Sequence, residues 1–292
     1  MHLGNIFAAL ISYLSAKSRG GEWILRIEDL DRGRCREEYV TCLQRDLEAL
    51  GLYWDNDPGS DVSDGYRQSR RDAIYAEYLD KIKDLTYPCW CTRAERQASN
   101  APHESDGRLV YSGLCRNNPE RAKQNRGKPA ATRIVVPDRD ITFIDGHYGP
   151  QSVNLAGHCG DFVLRRSDGS WAYQFAVVVD DALMGVTEVV RGRDLLLSAA
   201  QQIYLFDALG FERPAYSHFP LLCAQDGRRL SKRDAGMELG ELLKTLSPEA
   251  VIGRLARLAG LSDNGEPCRP EDLIPLFDWK KLPTEDIIIK EQ

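Results

Sequence analysis

Gly21-Glu22-Trp23-Ile24-Leu25-Arg26-Ile27-Glu28-Asp29-Leu30-Asp31 is the stretch on which the fold turns. Trp23, Leu25 and Ile27 alternate with Ile24 and Arg26, the period of a strand, and the run ends in a cluster of acids at the strand's carboxyl end. Before it, Asn5 to Lys17 repeats apolar side chains at Ile6, Leu10 and Leu14, with Phe7 and Ile11 beside them. That is helical period, with Asn5 as the expected N-cap and Gly20-Gly21 as the stop. After it, Arg36 to Leu50 repeats apolar positions at Tyr39, Leu43, Leu47 and Leu50 and stops at Gly51. A further helix is expected near Gln68 to Lys83, with Ile74, Tyr78 and Ile82 on one stripe. Helix, strand, helix, helix at this spacing predicts an α/β domain with a parallel sheet.

Further out the pattern changes. From Tyr87 to about Pro129 polar residues, Pro and Gly dominate. Thr132 to Val136, Ile141 to Ile144 and Phe162 to Arg166 read as short strands between turns such as Asp145-Gly146 and Asp168-Gly169. Ala172 to Val179 is a dense apolar run whose periodicity fits strand or helix equally. Thr187 to Val190 reads as a buried strand, Asp194 to Leu209 as a helix ended by Gly210, and Phe219 to Cys223 as a strand. The turn Asp226-Gly227 and the basic loop Arg228 to Arg233 follow, and the remainder reads as short helices with Pro-marked breaks.

Composition narrows the class. The 292 residues are 42% hydrophobic and 28% charged, ordinary for a globular chain and not for a disordered or collagenous one. No run of about 18 apolar residues exists, so no membrane partner is expected. The N-terminus lacks the basic stretch and small-residue cleavage site of a secretory signal, so a cytoplasmic location is expected. Eight cysteines are too few for a disulfide scaffold of this length. The net charge of −6 does not advertise a nucleic-acid partner, which would have to be met by a local basic face. Arg116, Arg121, Lys123, Arg126 and Lys128 form one such concentration.

Three motifs carry chemistry. His2-Leu3-Gly4-Asn5 opens the first helix. There a Gly lets a nucleotide approach the backbone, the helix N-terminus favours phosphate, and an imidazole can donate to a phosphoryl oxygen. Arg229-Leu230-Ser231-Lys232-Arg233 follows a strand and a Gly turn; Lys232 can neutralise triphosphate charge, while Ser231 and loop amides add hydrogen bonds. Cys89-x-Cys91, followed by Tyr111-x₃-Cys115, offers three thiolates in a loop-rich stretch, a set suited to a closed structural zinc site. Spacing leaves the fourth ligand open among Tyr111, His103 and a carboxylate, with His the commoner zinc ligand.

The first two motifs stand in the order of the HIGH and KMSKS signatures of class I aminoacyl-tRNA synthetases. The segments between them make the resemblance specific. Gly21 to Asp31, Tyr66-Arg67-Gln68-Ser69, Asp161 to Gly169, Ala176 to Asp181 and Val190-Arg191-Gly192 resemble glutamyl-tRNA synthetase segments in family order, over nearly the whole chain. Arg191-Gly192-Arg193-Asp194-Leu195-Leu196 and the short length most resemble the branch of that family lacking an anticodon-binding domain. The resemblance implies a Rossmann-type α/β catalytic domain (residues 1–84 and 171–235), an inserted zinc-containing, acceptor-binding-like subdomain (85–170) and a helical stem-contact-like region (236–292). It implies a monomer that activates glutamate with ATP and Mg²⁺ and transfers it to queuosine in the anticodon of tRNA(Asp). His2 and Lys232 take the catalytic positions. His2, Gly4, Asn5, Asp194, Ser231 and Lys232 take the ATP positions. Glu28 matches the residue facing the substrate ammonium, Arg191 the one pairing with its side-chain carboxylate, and Tyr173 a hydroxyl lining the same pocket. The family pattern also selects Tyr111 as the fourth ligand to Zn²⁺ beside Cys89, Cys91 and Cys115.

Two alternatives accompany this reading: a glutamyl-tRNA synthetase fragment that charges tRNA(Glu), and a catalytically impaired relic kept for binding or regulation. Two departures from the pattern bear on them. Family members carry a strand before the His-x-Gly signature, with an Arg and a Ser that contact the amino acid; here the signature starts at His2. The expectation is an in-frame upstream segment resembling Arg-x-Ala-Pro-Ser-Pro-Thr-Gly. The second departure is Arg229, which stands where the loop usually has its first Lys; it keeps the charge but not the point-charge geometry. The span from the first signature to the last uses residues 2 to 233, and the 59 that follow are too few for an anticodon-binding domain.

Overall fold

The computed structural model describes residues 1–31, 33–56, 65–92, 94–95, 110–230 and 237–289. Helix α1 (Leu3–Ser18) buries Leu3, Ile6, Phe7, Leu10, Ile11 and Leu14 completely or nearly so. Its cap is His2, not Asn5: His2 is extended, and its Nδ1 accepts from the Asn5 N–H at 3.3 Å. The imidazole thus does what an Asn side chain was expected to do one turn later. Gly20, at φ 68°, ends the helix as expected.

The stretch after α1 departs from its expectation. Residues 23–28 run extended but form no strand; their one ladder contact is a parallel bridge from Ile27 to Arg67. On one side, Trp23, Leu25 and Ile27 bond to Asp55, Asn56, Tyr66 and Gln68. The other side faces an open cleft. Alternation reports which residues face the core, whereas a strand also needs a hydrogen-bonding neighbour.

Helices α2 (Glu37–Ala49) and α3 (Asp72–Lys81) follow, then β1 (Thr86–Cys89) and the short α4 (Pro119–Gln124). Next come β2 (Ala131–Ile134), β3 (Asp140–Asp145), β4 (Gly149–Asn154), α5 (Leu155–His158) and β5 (Val163–Arg165). The ambiguous apolar run is helix α6 (Tyr173–Leu183), seven of whose residues are buried. Strand β6 (Glu188–Gly192) leads through a 3₁₀ turn to α7 (Leu196–Leu209), which Gly210 closes at φ 70°. Strands β7 (Ala215–Phe219) and β8 (Leu222–Cys223), helices α8 (Leu239–Leu242), α9 (Pro248–Leu258) and α10 (Pro270–Leu273), and β9 (Ile287–Ile288) complete the order.

The main sheet is mixed rather than all parallel. Its order is β4-β3-β7-β6, with β6 and β3 parallel to β7 and β4 closing an antiparallel hairpin on β3. A second, antiparallel sheet runs β1-β2-β5. One core lies between α1, α9 and the C-terminal segment. The other joins Ile134, Ile141, Val153 and Leu164 to Tyr75, Phe175, Ile203 and Tyr216. A division at residue 170 therefore cuts across one core, because β3 reaches the main sheet by pairing Asp145 with Tyr216. No described helix is long and apolar enough to cross a membrane.

Candidate active site

Strand β6 organises the site. A cleft of about 790 Å³ is lined by Arg26, Glu28, Tyr173, Asp181 and Arg191 among others. The extended segment supplies Arg26 and Glu28, the start of α6 supplies Tyr173, and β6 supplies Arg191. The three residues expected to hold the amino acid therefore line one space. Arg191 is held by three partners: Nε donates to His218 Nε2 at 3.0 Å, Nη1 to Gln202 Oε1 at 2.7 Å and Nη2 to the Leu195 carbonyl at 3.3 Å. Glu28 is exposed and accepts from Arg26 Nη2 at 2.9 Å. Tyr173 is 39% exposed, and burial of its ring raises the phenol's pKa.

Arg26, Asp181, Gln202 and His218 were not singled out as site residues from the sequence. Arg26 and Asp181 form an ion pair at 2.5 Å, both largely buried, and burial holds the Asp181 carboxyl above its usual range despite Arg26. Their positions were visible in the quoted segments; Gln202 and His218 carried no local signal at all. Glu28 and Tyr173 also border a second cleft of about 690 Å³, with Asp31, Ser69, Asp168 and Trp171.

The residue after Arg191 faces a different space. Gly192 lines a notch of about 60 Å³ with His2, Gly4, Asn5 and Arg229. This brings the first helix's opening beside the start of the basic loop, a separation of more than 220 residues in sequence. Arg229 forms an ion pair with Asp194 there. A Cβ on Gly192 would lie 2.7 Å from Asp194 Oδ1 and 2.8 Å from Leu221 Cδ2, so both side chains pack against the bare backbone of this residue. Ser231 and Lys232, the other expected ATP residues, lie outside the described residues.

The cysteines converge as well. The sulfurs of Cys89, Cys91 and Cys115 lie within 4.8 Å of one another. The Tyr111 hydroxyl sits 3.5 Å from Cys89 Sγ and 3.4 Å from Cys91 Sγ. Tetrahedral zinc–thiolate bonds place sulfurs about 3.8 Å apart, so the donor set fits such an ion. Arg133 Nε and the Trp90 N–H reach Cys89 and Cys115 sulfurs at 3.3 and 3.4 Å. Burial pushes Cys89 up, but the bonds from Tyr111 and Arg133 outweigh it and draw the thiol down to about 7. Gly160 presses on this site: a Cβ there would meet the Tyr111 carbonyl oxygen at 2.2 Å. His103 lies outside the described residues. Of the basic residues that follow, Arg116, Arg121 and Lys123 are ion-paired with Asp161, Glu95 and Glu120. Arg126 and Lys128 are exposed.

Residues 1–288 match the family model described as tRNA synthetases class I (E and Q), catalytic domain, and the chain belongs to that family. Within it, the chain is 46% identical to the glutamyl-Q tRNA(Asp) synthetase of Symbiobacterium thermophilum, across 99% of this chain and 92% of the relative. It is 43% identical to the protein of the same name from Nitratidesulfovibrio vulgaris, across 99% and 91%. Among solved structures, the glutamate-tRNA synthetase of Elizabethkingia anophelis matches with a TM-score of 0.83 and 31% identity. The match covers 99% of this chain and 66% of that longer one.

Proposed function

We propose that the chain activates glutamate with ATP and transfers it to queuosine in the anticodon of tRNA(Asp). The observation that carries this reading is the adjacency of Arg191 and Gly192. Successive residues of a strand point to opposite faces. Here one lines the cleft holding Glu28 and Tyr173, and the other lines the notch holding His2, Gly4 and Asn5. Glutamate bound by Arg191 and Glu28 would present its α-carboxylate toward the notch. A carboxylate oxygen then attacks the α-phosphorus of ATP, and pyrophosphate leaves. His2, Lys232 and the α1 N-terminus would stabilise the charge that develops. Attack by a hydroxyl of the acceptor on the glutamyl carbonyl expels AMP and completes the transfer. Mg²⁺ enters with ATP, and no residue is assigned to it. Zn²⁺ would be held by Cys89, Cys91, Tyr111 and Cys115 and supply structural cross-linking, with no part in the reaction.

The relatives named for glutamyl-Q tRNA(Asp) match over nine-tenths of their length, which favours queuosine over the 3′ end of tRNA(Glu) as acceptor. Glutamate-dependent ATP–pyrophosphate exchange by the purified chain tests the first half. Transfer of labelled glutamate to queuosine-containing tRNA(Asp), with tRNA(Glu) and unmodified tRNA(Asp) as comparisons, tests the second. Transfer to tRNA(Glu) alone would overturn the acceptor assignment, and no exchange would overturn activation.

A further inference from the structure

We infer that His218, held by Asp145 in the tautomer that carries its proton on Nδ1, is the positioning residue that aims Arg191 into the cleft. The inference rests on the reading of Arg191 as the side-chain carboxylate receptor. Three strands meet at this point. Asp145 ends β3, His218 lies in β7 and Arg191 lies in β6, and both β3 and β6 pair with β7. His218 is fully buried and Asp145 is 2% exposed.

The hydrogen bonds dictate the tautomer. An Arg Nε–H can only donate, so His218 Nε2 must accept the 3.0 Å bond from Arg191. The ring proton therefore sits on Nδ1, from which it is donated to Asp145 Oδ2 at 2.5 Å. Asp145 is itself fixed by the N–H groups of His147, Tyr148 and His218 at 3.0, 2.9 and 3.3 Å. The groups facing the ring are Asp145 from β3, Arg191 from β6, Tyr216 stacked at 6.4 Å from its own strand, and the Leu195 carbonyl. A second proton on the ring would put a cation against Arg191 and remove the acceptor. Burial and Arg191 both oppose that proton, and Asp145 favours it; the balance lowers the imidazole's pKa.

Arg191 has five N–H groups. His218, Gln202 and Leu195 take three of them. One remains on each terminal nitrogen, the number a carboxylate needs for two-point recognition. His218 fixes the rotation of the guanidinium plane about Nε and so the aim of that remaining pair.

The test uses the full chain. His218→Asn keeps a donor near Nδ1 and loses the Nε2 acceptor; His218→Gln does the reverse. Asp145→Asn offers its amide to Nδ1, moves the ring proton to Nε2 and sets two donors against each other. The expected result is a rise of about tenfold in glutamate KM for His218→Asn and Asp145→Asn, the size of one lost charged hydrogen bond. ATP KM stays within about twofold, and His218→Gln recovers most of the loss. Imidazole ¹⁵N NMR of the unaltered chain reads the tautomer directly, with an Nδ1–H neutral ring expected at pH 7. An Nε2–H ring or an imidazolium overturns the inference, as does an unchanged glutamate KM or a parallel rise in both KM values. If Arg191→Ala leaves glutamate KM unchanged, or exchange never occurs, the assigned role of Arg191 fails; the NMR result then still decides whether His218 orients that side chain.

Discussion

Arg26 Nη1 lies 2.5 Å from Asp181 Oδ1 in the wall of the cleft that also holds Arg191. The pair ties the extended segment after α1 to helix α6, where no strand ladder joins them. Removing one partner leaves a largely buried charge, and Arg26 Nε already lacks a partner among the described residues. Asp181→Ala leaves Arg26 with Glu28 as its remaining carboxylate and should destabilise the fold by about 1–3 kcal/mol, and Asp181→Asn, which keeps an acceptor, by less. Urea midpoints for the two variants measure this. Equal midpoints to the unaltered chain would show that the pair contributes little.

The cysteine cluster makes a prediction about metal content. The purified chain should carry about one zinc per molecule, read by elemental analysis. Cys115→Ser should abolish that content and lower the melting temperature, because among the described residues the buried cluster here is built on the site's own Cys89, Tyr111 and Cys115. Tyr111→Phe should weaken retention against a chelator. Full retention in Tyr111→Phe would move the fourth ligand to another residue.

Gly192→Ala should impair nucleotide use while sparing the glutamate cleft. The added methyl would press on the side-chain ends of Asp194 and Leu221, so the carboxylate that pairs with Arg229 must shift. A rise of tenfold or more in ATP KM is expected, with glutamate KM changed about threefold or less. A change confined to glutamate would show that the notch is not the nucleotide side.

Stability should fall as the medium is acidified below pH 6.5. Burial holds the His218 imidazole below its ordinary 6.5, outweighing the opposing bond to Asp145. The unfolded chain takes up that proton near pH 6.5 while the folded chain does not. The contribution is therefore present above pH 6.5 and is lost as pH drops toward the lower folded value. Asp145 adds a second loss, below its ordinary 3.8: burial raises its pKa, but the bonds from His218 and the backbone outweigh it. Below pH 6.5 the stability should fall with a slope that does not exceed about 1.4 kcal/mol per pH unit for this one group. His218→Asn should flatten it, as denaturant midpoints across that range would report.

Much of the architecture is legible in local periodicity. The apolar stripe of α1, the stop at Gly20, the end of α7 at Gly210 and the strands around Thr132, Ile141 and Val190 all follow from spacing and turn chemistry. Other features do not. Gly149–Asn154 has no continuous alternation of apolar residues, and its hairpin with β3 exists because the partner strand is adjacent. The 173–183 run is a helix because it packs between α3, α7 and β5, a circumstance its own residues cannot encode in a window of ten.

The sequence by itself determined the chemistry available and the family: a His-x-Gly helix start, a basic loop, three clustered thiols, and Glu28, Tyr173 and Arg191 in recognisable surroundings. Those are properties of residue type and order. Only the tertiary structure decided that His2 caps its own helix, that residues 23–28 remain outside any ladder, and that Arg191 and Gly192 face two spaces from one strand. It alone joined Asp145, His218 and Arg191 across three strands. The reason is physical: a hydrogen bond between side chains 73 residues apart depends on strand pairing, and pairing is set by the whole core, not by the neighbours of either residue.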